Sequence, residues 1–368
     1  MYGEDSAARV ITQIEAKNFE HPQVNINQDN NIYIYLTNRC NLRCKHCYMF
    51  SGDTEHEYQE LKPLKWMNLL KRFRENGGTG VTFTGGEILV YSGFEEIIKH
   101  ANKIGLKVTV LTNGILWSLN KIRELSSFID EVQISIDGYD EESYYQVRKF
   151  YGFEKAVDCA KNFYGCGVRT SIAVTPLYSG IDNFIKNFEP FAKTILKEYP
   201  NLFIKINLEL LKGREVNPSR DENKIYKANL KLLTEKLYPN YYTENFVFNF
   251  ENHEIRENCG FGGISIAPDG KVFWCSRIHE LKSSVNIFDA EFEYIMQKSR
   301  EIKEKTSVDN TIGCKDCEIR YICGGGCRLE YKEIINADNH DGEWIYRCPG
   351  KDAVYDKMIA SNEFFFEY

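Results

Sequence analysis

The sequence has no long apolar segment, no basic leader and no long run of basic residues. No stretch of the 368 residues approaches the roughly 18 apolar positions that a membrane-spanning helix needs. The first residues, MYGEDSAARV, lack the basic and apolar segments of a secretory signal. The net charge of −7 further argues against a nucleic-acid partner. We therefore expect a cytoplasmic protein that binds neither a membrane nor nucleic acid.

Cysteine is abundant, and its positions are uneven. Twelve cysteines are present, although structural disulfides are rare in the reducing cytoplasm. A first group lies within TNRCNLRCKHCYMF, residues 37–50, and consists of Cys40, Cys44 and Cys47. A second group, nearer the C-terminus, consists of Cys259, Cys275, Cys314, Cys317, Cys323, Cys327 and Cys348. Clustered intracellular cysteines usually bind metal, so both groups are predicted metal-binding segments.

Strand-like and helix-like patterns alternate between residues 32 and roughly 212. The strand patterns are NIYIYLT, TGVTFT, LKVTVLT, EVQISID, VRTSIAVT and LFIKINLELL. Because amphipathic helical patterns separate them, the sequence predicts βαβ units and a parallel sheet, with the chemistry beyond the carboxyl ends of the strands. Further on, CGFGGISIAPDGKVFWC predicts a β-hairpin that turns at Pro268-Asp269-Gly270. The Cys- and Gly-rich remainder predicts a second domain held together by metal.

The spacing of Cys40, Cys44 and Cys47 has more than one interpretation. Positions i, i+4 and i+7 share one face of a helix, where three buried cysteines would need no ligand. Asn38 and Asn41, at the end of a strand pattern, favour a loop instead. Structural zinc prefers four ligands, whereas three cysteines on a four-iron cluster leave one iron open. The cluster is the leading interpretation, with the helix and the zinc site as alternatives.

The C-x3-C-x2-C motif after the first strand resembles that of the radical S-adenosylmethionine enzymes. The resemblance covers residues 32 to roughly 212 and implies an α/β fold, a partial (β/α)6 TIM-like barrel. In that family the open iron chelates the amine and carboxylate of S-adenosylmethionine. One electron from the cluster then gives methionine and a 5'-deoxyadenosyl radical, which takes hydrogen from the substrate. The resemblance also implies an external electron donor of the flavodoxin or ferredoxin type.

The same resemblance implies which residues bind the cofactor. They are His46, Gly85, Gly86, Glu87, Asn113, Ser135 and Arg148. Glu87 of TFTGGE would accept from the cofactor ammonium, and the His46 backbone would contact adenine. Ser135 and Arg148 would hold the ribose or the carboxylate, which suits a guanidinium fork. The alternatives are a plain loop for the GGE segment and a solvated surface charge for Arg148.

The second cysteine group resembles the SPASM domain of the same enzymes in order and spacing. That domain carries two auxiliary four-iron clusters, so the resemblance implies three [4Fe-4S] clusters in all. One auxiliary cluster would be held by Cys314, Cys317, Cys323 and Cys348, and the other by Cys259, Cys275 and Cys327. Some relatives have a further cysteine where CGFGG has none, so His253, Glu257, His279 or a substrate group are candidates for that iron. A zinc ribbon is the alternative, since it also uses C-x2-C pairs.

These interpretations divide the chain into four segments. They are an N-terminal extension (1–31), the barrel with a linker (32–250), the SPASM domain (251–350) and a C-terminal helix or tail (351–368). The extension is too short for a packed leader-binding domain, so leader recognition is expected from a separate protein or another surface. Cys159 is expected in the core of a helix, and Cys166 at the amino end of the fifth strand. This weakens a peptide epimerase that quenches its radical with cysteine.

The leading functional hypothesis is a maturase of a ribosomally synthesised peptide, because SPASM enzymes mostly act on peptides or proteins. The product would be a thioether or carbon–carbon cross-link. The alternative is an anaerobic sulfatase-maturing enzyme that makes formylglycine. In that group an aspartate base follows the second SPASM cysteine, whereas here Ser276 follows Cys275 and serine is a poor base. An alternative of another class is a non-catalytic iron–sulfur electron carrier or zinc scaffold.

Overall fold

The computed structural model describes residues 30–53, 59–239, 241, 256, 259–276, 282–326, 332–335 and 343–346. The chain divides into two compact units. The larger comprises Asp29–Pro239 and Ile264–Ile295. The smaller comprises Met1–Gln28, Asn240–Gly263 and Met296–Tyr368. The four predicted segment boundaries stay predictions.

The larger unit is built on a mixed sheet flanked by helices. Its strands are β1 (Asn31–Tyr35), β2 (Gly80–Thr84), β3 (Lys107–Thr112), β4 (Glu131–Ser135), β5 (Arg169–Val174), β6 (Phe203–Ile206), β7 (Ser265–Ile266), β8 (Lys271–Phe273) and β9 (Lys282–Asn286). Its helices are α1 (Pro63–Glu75), α2 (Phe94–Lys103), α3 (Leu119–Leu125), α4 (Glu141–Arg148), α5 (Phe153–Gly165), α6 (Ile181–Glu198) and α7 (Arg220–Leu237). Short 3₁₀ turns span Ile88–Val90 and Ser126–Phe128.

The remaining elements described lie wholly or partly in the smaller unit. They are α8 (Phe292–Lys305), which begins in the larger unit, α9 (Arg320–Cys323), β10 (Lys332–Ile335) and β11 (Glu343–Tyr346). Strands β10 and β11 form an antiparallel pair. Among the helices in the described ranges, none is long and apolar enough to cross a membrane.

The strand order in the main sheet is β6-β5-β4-β3-β2-β1-β7-β8-β9. Strands β1 to β6 are parallel and pair in chain order, as neighbouring βαβ units do. The predicted parallel sheet of six strands alternating with helices is therefore confirmed. The predicted hairpin is also confirmed, since β7 and β8 pair antiparallel and Gly270 has φ +87° in the turn. The sequence did not predict that β7 pairs parallel with β1 and extends the sheet.

The two faces of β1 to β6 differ because apolar and polar residues alternate along these strands. The apolar face contributes Ile34, Phe83, Val110, Ile134, Ile172 and Ile204, each no more than 1% exposed. It packs beneath the helices, as in the edge-on contact of Phe83 with Phe94 of α2 at 6.3 Å between ring centroids. Parallel sheets buried on both faces are usually apolar on both. The alternation therefore leaves the second face polar, and this face lines the cavity of the candidate site.

Candidate functional site

A cavity of about 900 Å³ lies against the polar face of the sheet in the larger unit. Alternate residues of all six parallel strands line it, followed by residues of the loops at their carboxyl ends. The middle of each strand contributes Tyr33, Thr82, Thr109, Gln133, Ser171 and Lys205. A packed barrel core would carry branched apolar residues at these positions. The polar lining instead fits a space that receives a polar ligand.

The amino end of the cavity carries a chain of ion pairs across three strands. Glu131, the first residue of β4, lies 2.8 Å from the Lys107 ammonium and 2.9 Å from the Arg169 guanidinium. All three residues line the cavity. These ion pairs occupy the amino end of the strands, so the carboxyl end stays available for a reaction, as expected for parallel strands.

Cys40, Cys44 and Cys47 lie at that carboxyl end, in the segment 36–62 between β1 and α1, which we call the cysteine loop. Its described residues, 36–53 and 59–62, contain no helix. The alternative of three cysteines on one helical face is therefore wrong. Turns shape the loop instead, with the amide of Cys47 donating to the carbonyl of Cys44 at 3.3 Å. All three cysteines line the cavity.

Each of the three thiols accepts a hydrogen bond. The Leu42 amide lies 3.4 Å from the sulfur of Cys40, and the Ser51 amide lies 3.4 Å from that of Cys47. The Arg148 guanidinium Nη1 lies 3.6 Å from the sulfur of Cys44. Hydrogen bonds to sulfur are a means by which proteins stabilise thiolate ligands and tune clusters.

Burial keeps the thiols of Cys40 and Cys44 neutral until a metal displaces their protons. It raises the pKa of Cys40 to about 12 and also raises the pKa of Cys44. A coordinating thiol is deprotonated by the metal. Within the described residues, no three His, Cys, Asp or Glu side chains are close enough to hold a single metal ion. A four-iron cluster does not require this, because each thiolate binds a different iron, so the donor set fits such a cluster.

Arg214, which follows β6, anchors the cysteine loop and was not identified from the sequence. Its guanidinium donates to the carbonyls of Cys44 at 2.7 Å and Ser51 at 2.9 Å. It also forms two bonds of 3.1 Å with the carboxylate of Asp53. No local pattern marks an arginine so far from the loop, since it lies 170 residues after Cys44.

The two glycines of TFTGGE let β2 approach the cysteine loop closely. A Cβ at Gly85 would lie 2.3 Å from the carbonyl oxygen of Thr37, and one at Gly86 would lie 2.2 Å from that of Arg39. Gly85 also has φ +144°, which disfavours other residues. The amide of Gly86 donates to the Thr37 carbonyl at 2.8 Å. These glycines therefore let the cysteine loop pack closely against the sheet, and they also line the cavity. The interpretation of the GGE segment as a plain loop does not account for this packing role.

Glu87 is turned toward β3. Its carboxylate accepts from the Thr112 hydroxyl at 2.7 Å and from the Asn113 amide at 2.8 Å. The side chain is only 1% exposed, and burial raises its pKa despite these hydrogen bonds. The structure thus gives Glu87 the role of holding the end of β3. Its contact with the cofactor ammonium stays a prediction.

The other predicted cofactor residues lie around the same cavity. His46, Asn113, Ser135 and Arg148 line it. The Asn113 side chain donates to the Asn41 side chain at 2.9 Å, which connects β3 to the cysteine loop. The interpretation of Arg148 as a solvated surface charge is wrong, because the residue is 8% exposed.

Asp137 connects several of these residues, although no sequence pattern assigned it a role. Its carboxylate oxygen Oδ2 lies 2.7 Å from His46 Nε2 and 2.6 Å from Arg148 Nε. Oδ1 accepts from the Thr175 amide at 2.6 Å. The available sequence signal was a carboxylate two residues after a strand end, in a segment already assigned to the site.

The two isolated cysteines occupy the positions that were predicted. Cys159 is 2% exposed within α5, and burial raises the pKa of its thiol. Cys166 directly follows α5 and precedes β5, at the amino end of that strand. Both predictions are confirmed, and neither residue lies among those that line the cavity.

The second cysteine group is described in part, and each unit is considered by itself. In the larger unit, Cys275 follows β8 and is 9% exposed. In the smaller unit, the Cys317 amide donates to the Cys314 carbonyl at 2.8 Å, and Cys323 ends α9. Cys259 is half-buried in the same unit. The candidates Cys327, Cys348, His253, Glu257 and His279 lie outside the described residues, so both auxiliary ligand sets stay predictions.

The barrel segment matches a known protein family, and the chain is similar to several curated proteins. Residues 34–188 match the family model described as the Radical SAM superfamily. The sporulation killing factor maturation protein SkfB of Bacillus subtilis (strain 168) is 32% identical over 151 residues, which are 40% of this chain and 36% of SkfB. The AdoMet-dependent heme synthase of Oleidesulfovibrio alaskensis is 26% identical over 320 residues, covering 80% of this chain and 81% of that protein. The chain therefore spans little more than a third of SkfB.

Two solved structures resemble this chain over most of its length. Native anSMEcpe with bound AdoMet has a TM-score of 0.66 at 18% identity, and the match covers 91% of this chain and 97% of that one. Streptococcus suis SuiB bound to precursor peptide SuiA has a TM-score of 0.54 at 15% identity, covering 88% and 76%. At these identities the likeness shows the fold alone. The predicted fold class, an α/β open partial barrel, is confirmed by this likeness and by the family match.

Proposed function

We propose that this chain, whose residues 34–188 form a radical SAM domain, cleaves S-adenosylmethionine and modifies a ribosomally synthesised peptide. One observation carries the first half of the proposal. Three thiols, each accepting a hydrogen bond, lie at the carboxyl end of a parallel sheet and line a cavity of about 900 Å³. The radical SAM family implies a four-iron cluster and S-adenosylmethionine at such a place.

Cys40, Cys44 and Cys47 are the ligands we propose for that cluster. When bound, the cluster supplies the electron that cleaves S-adenosylmethionine and so yields a 5'-deoxyadenosyl radical. The chain's own residues hold the cysteine loop in place and orient the side chains at the end of β3. Arg214 and the glycines of TFTGGE fix the cysteine loop on the sheet. Glu87 fixes the end of β3, so that Asn113 lines the cavity.

For S-adenosylmethionine itself, we propose contacts from Ser135, Arg148 and the backbone at His46. All three residues line the cavity on the same side as the cysteine loop. A buried guanidinium suits a carboxylate, because charge-assisted hydrogen bonds gain strength away from water. Gly85 and Gly86 line the cavity as well and leave room for close approach of the ligand.

The peptide substrate is supported by the relatives rather than by the site. SkfB is a maturation protein for the sporulation killing factor, and SuiB was solved with its precursor peptide. The cavity is large enough for side chains of a peptide, and its lining is polar. We propose a thioether or carbon–carbon cross-link as the product, an external flavodoxin- or ferredoxin-type donor, and a separate leader-binding protein. Two auxiliary clusters on the second cysteine group complete the proposal.

Formylglycine formation in a sulfatase is the second candidate function. It is favoured by the longer match to anSMEcpe, which covers 97% of that chain. It is disfavoured by Ser276, which lines the cavity directly after Cys275. The Ser276 carbonyl accepts from Tyr48 at 3.4 Å and from Tyr35. A serine there offers no carboxylate base for the substrate.

Cofactor cleavage tests the radical chemistry. The triple variant Cys40→Ala, Cys44→Ala, Cys47→Ala should make no 5'-deoxyadenosine from S-adenosylmethionine and dithionite. The matched control, Cys166→Ala, should make it as the unaltered protein does. Product formation by the triple variant would refute the assignment of the three ligands. Absence of product from the unaltered, iron-loaded protein would favour an electron carrier.

A second experiment tests the substrate. A short Cys-rich or repeat-bearing peptide, where a reading frame beside this gene encodes one, should lose two hydrogen atoms in a reaction that requires both reductant and S-adenosylmethionine. The product should not react with a hydrazide probe, because a cross-link contains no aldehyde. A hydrazide-reactive product from a sulfatase peptide would establish formylglycine formation instead.

A further inference from the structure

Asp137 is a fully buried carboxylate in the middle of the candidate site. It lies two residues beyond β4 and has no exposed surface. It contacts His46 in the cysteine loop, Arg148 at the end of α4, and the Thr175 amide beyond β5. Three separate segments of the chain therefore converge on one carboxylate.

Burying a carboxylate is costly unless it is paired and hydrogen-bonded. Here Oδ1 accepts from the Thr175 amide at 2.6 Å, and Oδ2 pairs with both His46 and Arg148. Burial by itself would raise the pKa of Asp137, but Arg148 and His46 lower it below its ordinary value. The carboxylate is therefore ionised at neutral pH, and the buried Arg148 guanidinium balances its charge.

The contact with Arg148 involves one particular edge of the guanidinium. Asp137 Oδ2 lies 2.6 Å from Nε, on the inner edge of the planar group. Nη1 is directed toward the sulfur of Cys44, at 3.6 Å, and Arg148 also lines the cavity. The contact is an ion pair rather than a hydrogen bond, because Nε has no hydrogen-bond partner. It holds the planar guanidinium against the buried carboxylate and so limits the directions of both Nη groups.

Helix α4 gives the arginine its starting position. The helix begins at a capping box in which the Asp140 carboxylate accepts from the Ser143 amide at 2.8 Å, and it ends at Arg148. Lys149 follows with φ 56°, which turns the backbone away. The helix brings the Arg148 backbone to the cavity, and the carboxylate of Asp137 then determines how the side chain faces it.

We propose that Asp137 is a positioning residue, which orients Arg148 toward Cys44 and the cofactor carboxylate. The inference rests on the proposed function, because Arg148 is there the residue that binds the carboxylate of S-adenosylmethionine. Asp137 acts through Arg148, so its effect on cofactor binding should disappear when Arg148 can no longer make that contact.

The test is a double-mutant cycle on the affinity of the iron-loaded, full-length protein for S-adenosylmethionine, measured by equilibrium dialysis. Asp137→Asn and Arg148→Gln should each weaken binding by about tenfold, the lower range for loss of a hydrogen bond to a charged group. The double variant should bind as weakly as Arg148→Gln alone. At saturating cofactor, Asp137→Asn should still show the cofactor-dependent change in the electron paramagnetic resonance spectrum of the reduced cluster.

Asp130→Asn is the matched control. Asp130 lies at the opposite end of β4, where its carboxylate accepts from the Val108 amide at 2.7 Å. Cofactor affinity should not change in this variant. Wild-type affinity in Asp137→Asn, or a further loss when Asp137→Asn is added to Arg148→Gln, would overturn the inference, the latter because it indicates a general structural role.

A further variant decides the matter if Asp137→Asn does not retain its cluster. Lysine keeps the positive charge of Arg148 but has no planar guanidinium for the Asp137 carboxylate to orient. Arg148→Lys should therefore bind the cofactor about as weakly as Arg148→Gln, and wild-type affinity would overturn the inference. The proposed function fails separately, when the unaltered iron-loaded protein does not bind S-adenosylmethionine at all.

Discussion

Arg214 shows how a single side chain can define an irregular loop. The cysteine loop has no regular hydrogen-bonding pattern, so its carbonyls need other partners. Arg214 satisfies the carbonyls of Cys44 and Ser51 and binds Asp53 through two parallel contacts. Its side chain is 16% exposed, so water competes little for these bonds. The positions of the three thiols therefore depend on Arg214, although these hydrogen bonds go to carbonyl oxygens and a carboxylate rather than to sulfur.

Replacing Arg214 by alanine should loosen the cluster held by the cysteine loop. Loss of hydrogen bonds to a charged group costs about 1.5–3 kcal/mol, so iron should leave for a chelator on the order of tenfold faster. Decay of the cofactor-responsive electron paramagnetic resonance signal measures this rate. Arg123→Ala, on the exposed side of α3, is the control and should leave the rate unchanged. Equal rates in both variants would contradict the anchoring role.

At the scale of elements, the end of β2 connects the cysteine loop to β3. The amides of Gly86 and Glu87 donate to the carbonyls of Thr37 and Arg39. The Glu87 carboxylate then binds the end of β3 at Thr112 and Asn113. Thr112 in turn accepts from the Trp117 indole at 3.1 Å. The backbone at the end of β2 thus binds the cysteine loop, and the buried Glu87 side chain binds the end of β3.

The burial of Glu87 predicts a distinctive pH dependence of stability. Its folded-state pKa is raised, mainly by burial. A raised pKa means that the stabilising contribution is complete below the ordinary value of 4.5 and is lost as the pH rises through the raised pKa. Glu87→Gln removes this loss. Its stability relative to the unaltered protein should therefore increase as the pH rises from 4.5, although the missing acceptor costs about 1–3 kcal/mol throughout.

Urea unfolding at a series of pH values measures this difference. Glu154→Gln, at an exposed position in the first turn of α5, is the matched control. Its stability difference should show no comparable rise. A Glu87→Gln difference that stays constant or decreases with rising pH would contradict a raised pKa for Glu87.

At the scale of the whole molecule, the number of cysteines in the second group discriminates between structural zinc and iron–sulfur clusters. Seven cysteines outside the barrel are too many for one closed four-ligand zinc site and one too few for two. Two auxiliary four-iron clusters would use all seven and leave one iron without a cysteine.

Metal content therefore gives a whole-molecule prediction. Three four-iron clusters correspond to about twelve iron atoms in each reconstituted chain. The triple variant of Cys40, Cys44 and Cys47 should retain about eight, because only one cluster is removed. Iron and zinc analysis, together with visible charge-transfer absorption, measures both values. About four irons in the unaltered protein, or zinc in place of iron, would refute the auxiliary clusters.

The sequence by itself determined the fold class, the position of the cysteine loop and the turn of the hairpin. These features depend on local patterns. Alternating apolar residues define the strands of a two-faced sheet, the three cysteines lie within eight positions, and Pro268-Asp269-Gly270 marks a turn. The polar face of the parallel strands was also present in that alternation, as in NIYIY, although its meaning as a cavity lining was not recognised.

Only the tertiary structure decided which side chains act together at the site. Glu87 binds Asn113 across 26 positions, His46 meets Asp137 across 91, and Arg214 reaches Cys44 across 170. No periodicity connects such distant residues, because each contact follows from the order of the strands rather than from neighbouring sequence. The pairing of β7 with β1 is of the same kind. The residue types of the site are thus visible in local sequence, whereas the orientation of their side chains depends on segments that are brought together when the sheet forms.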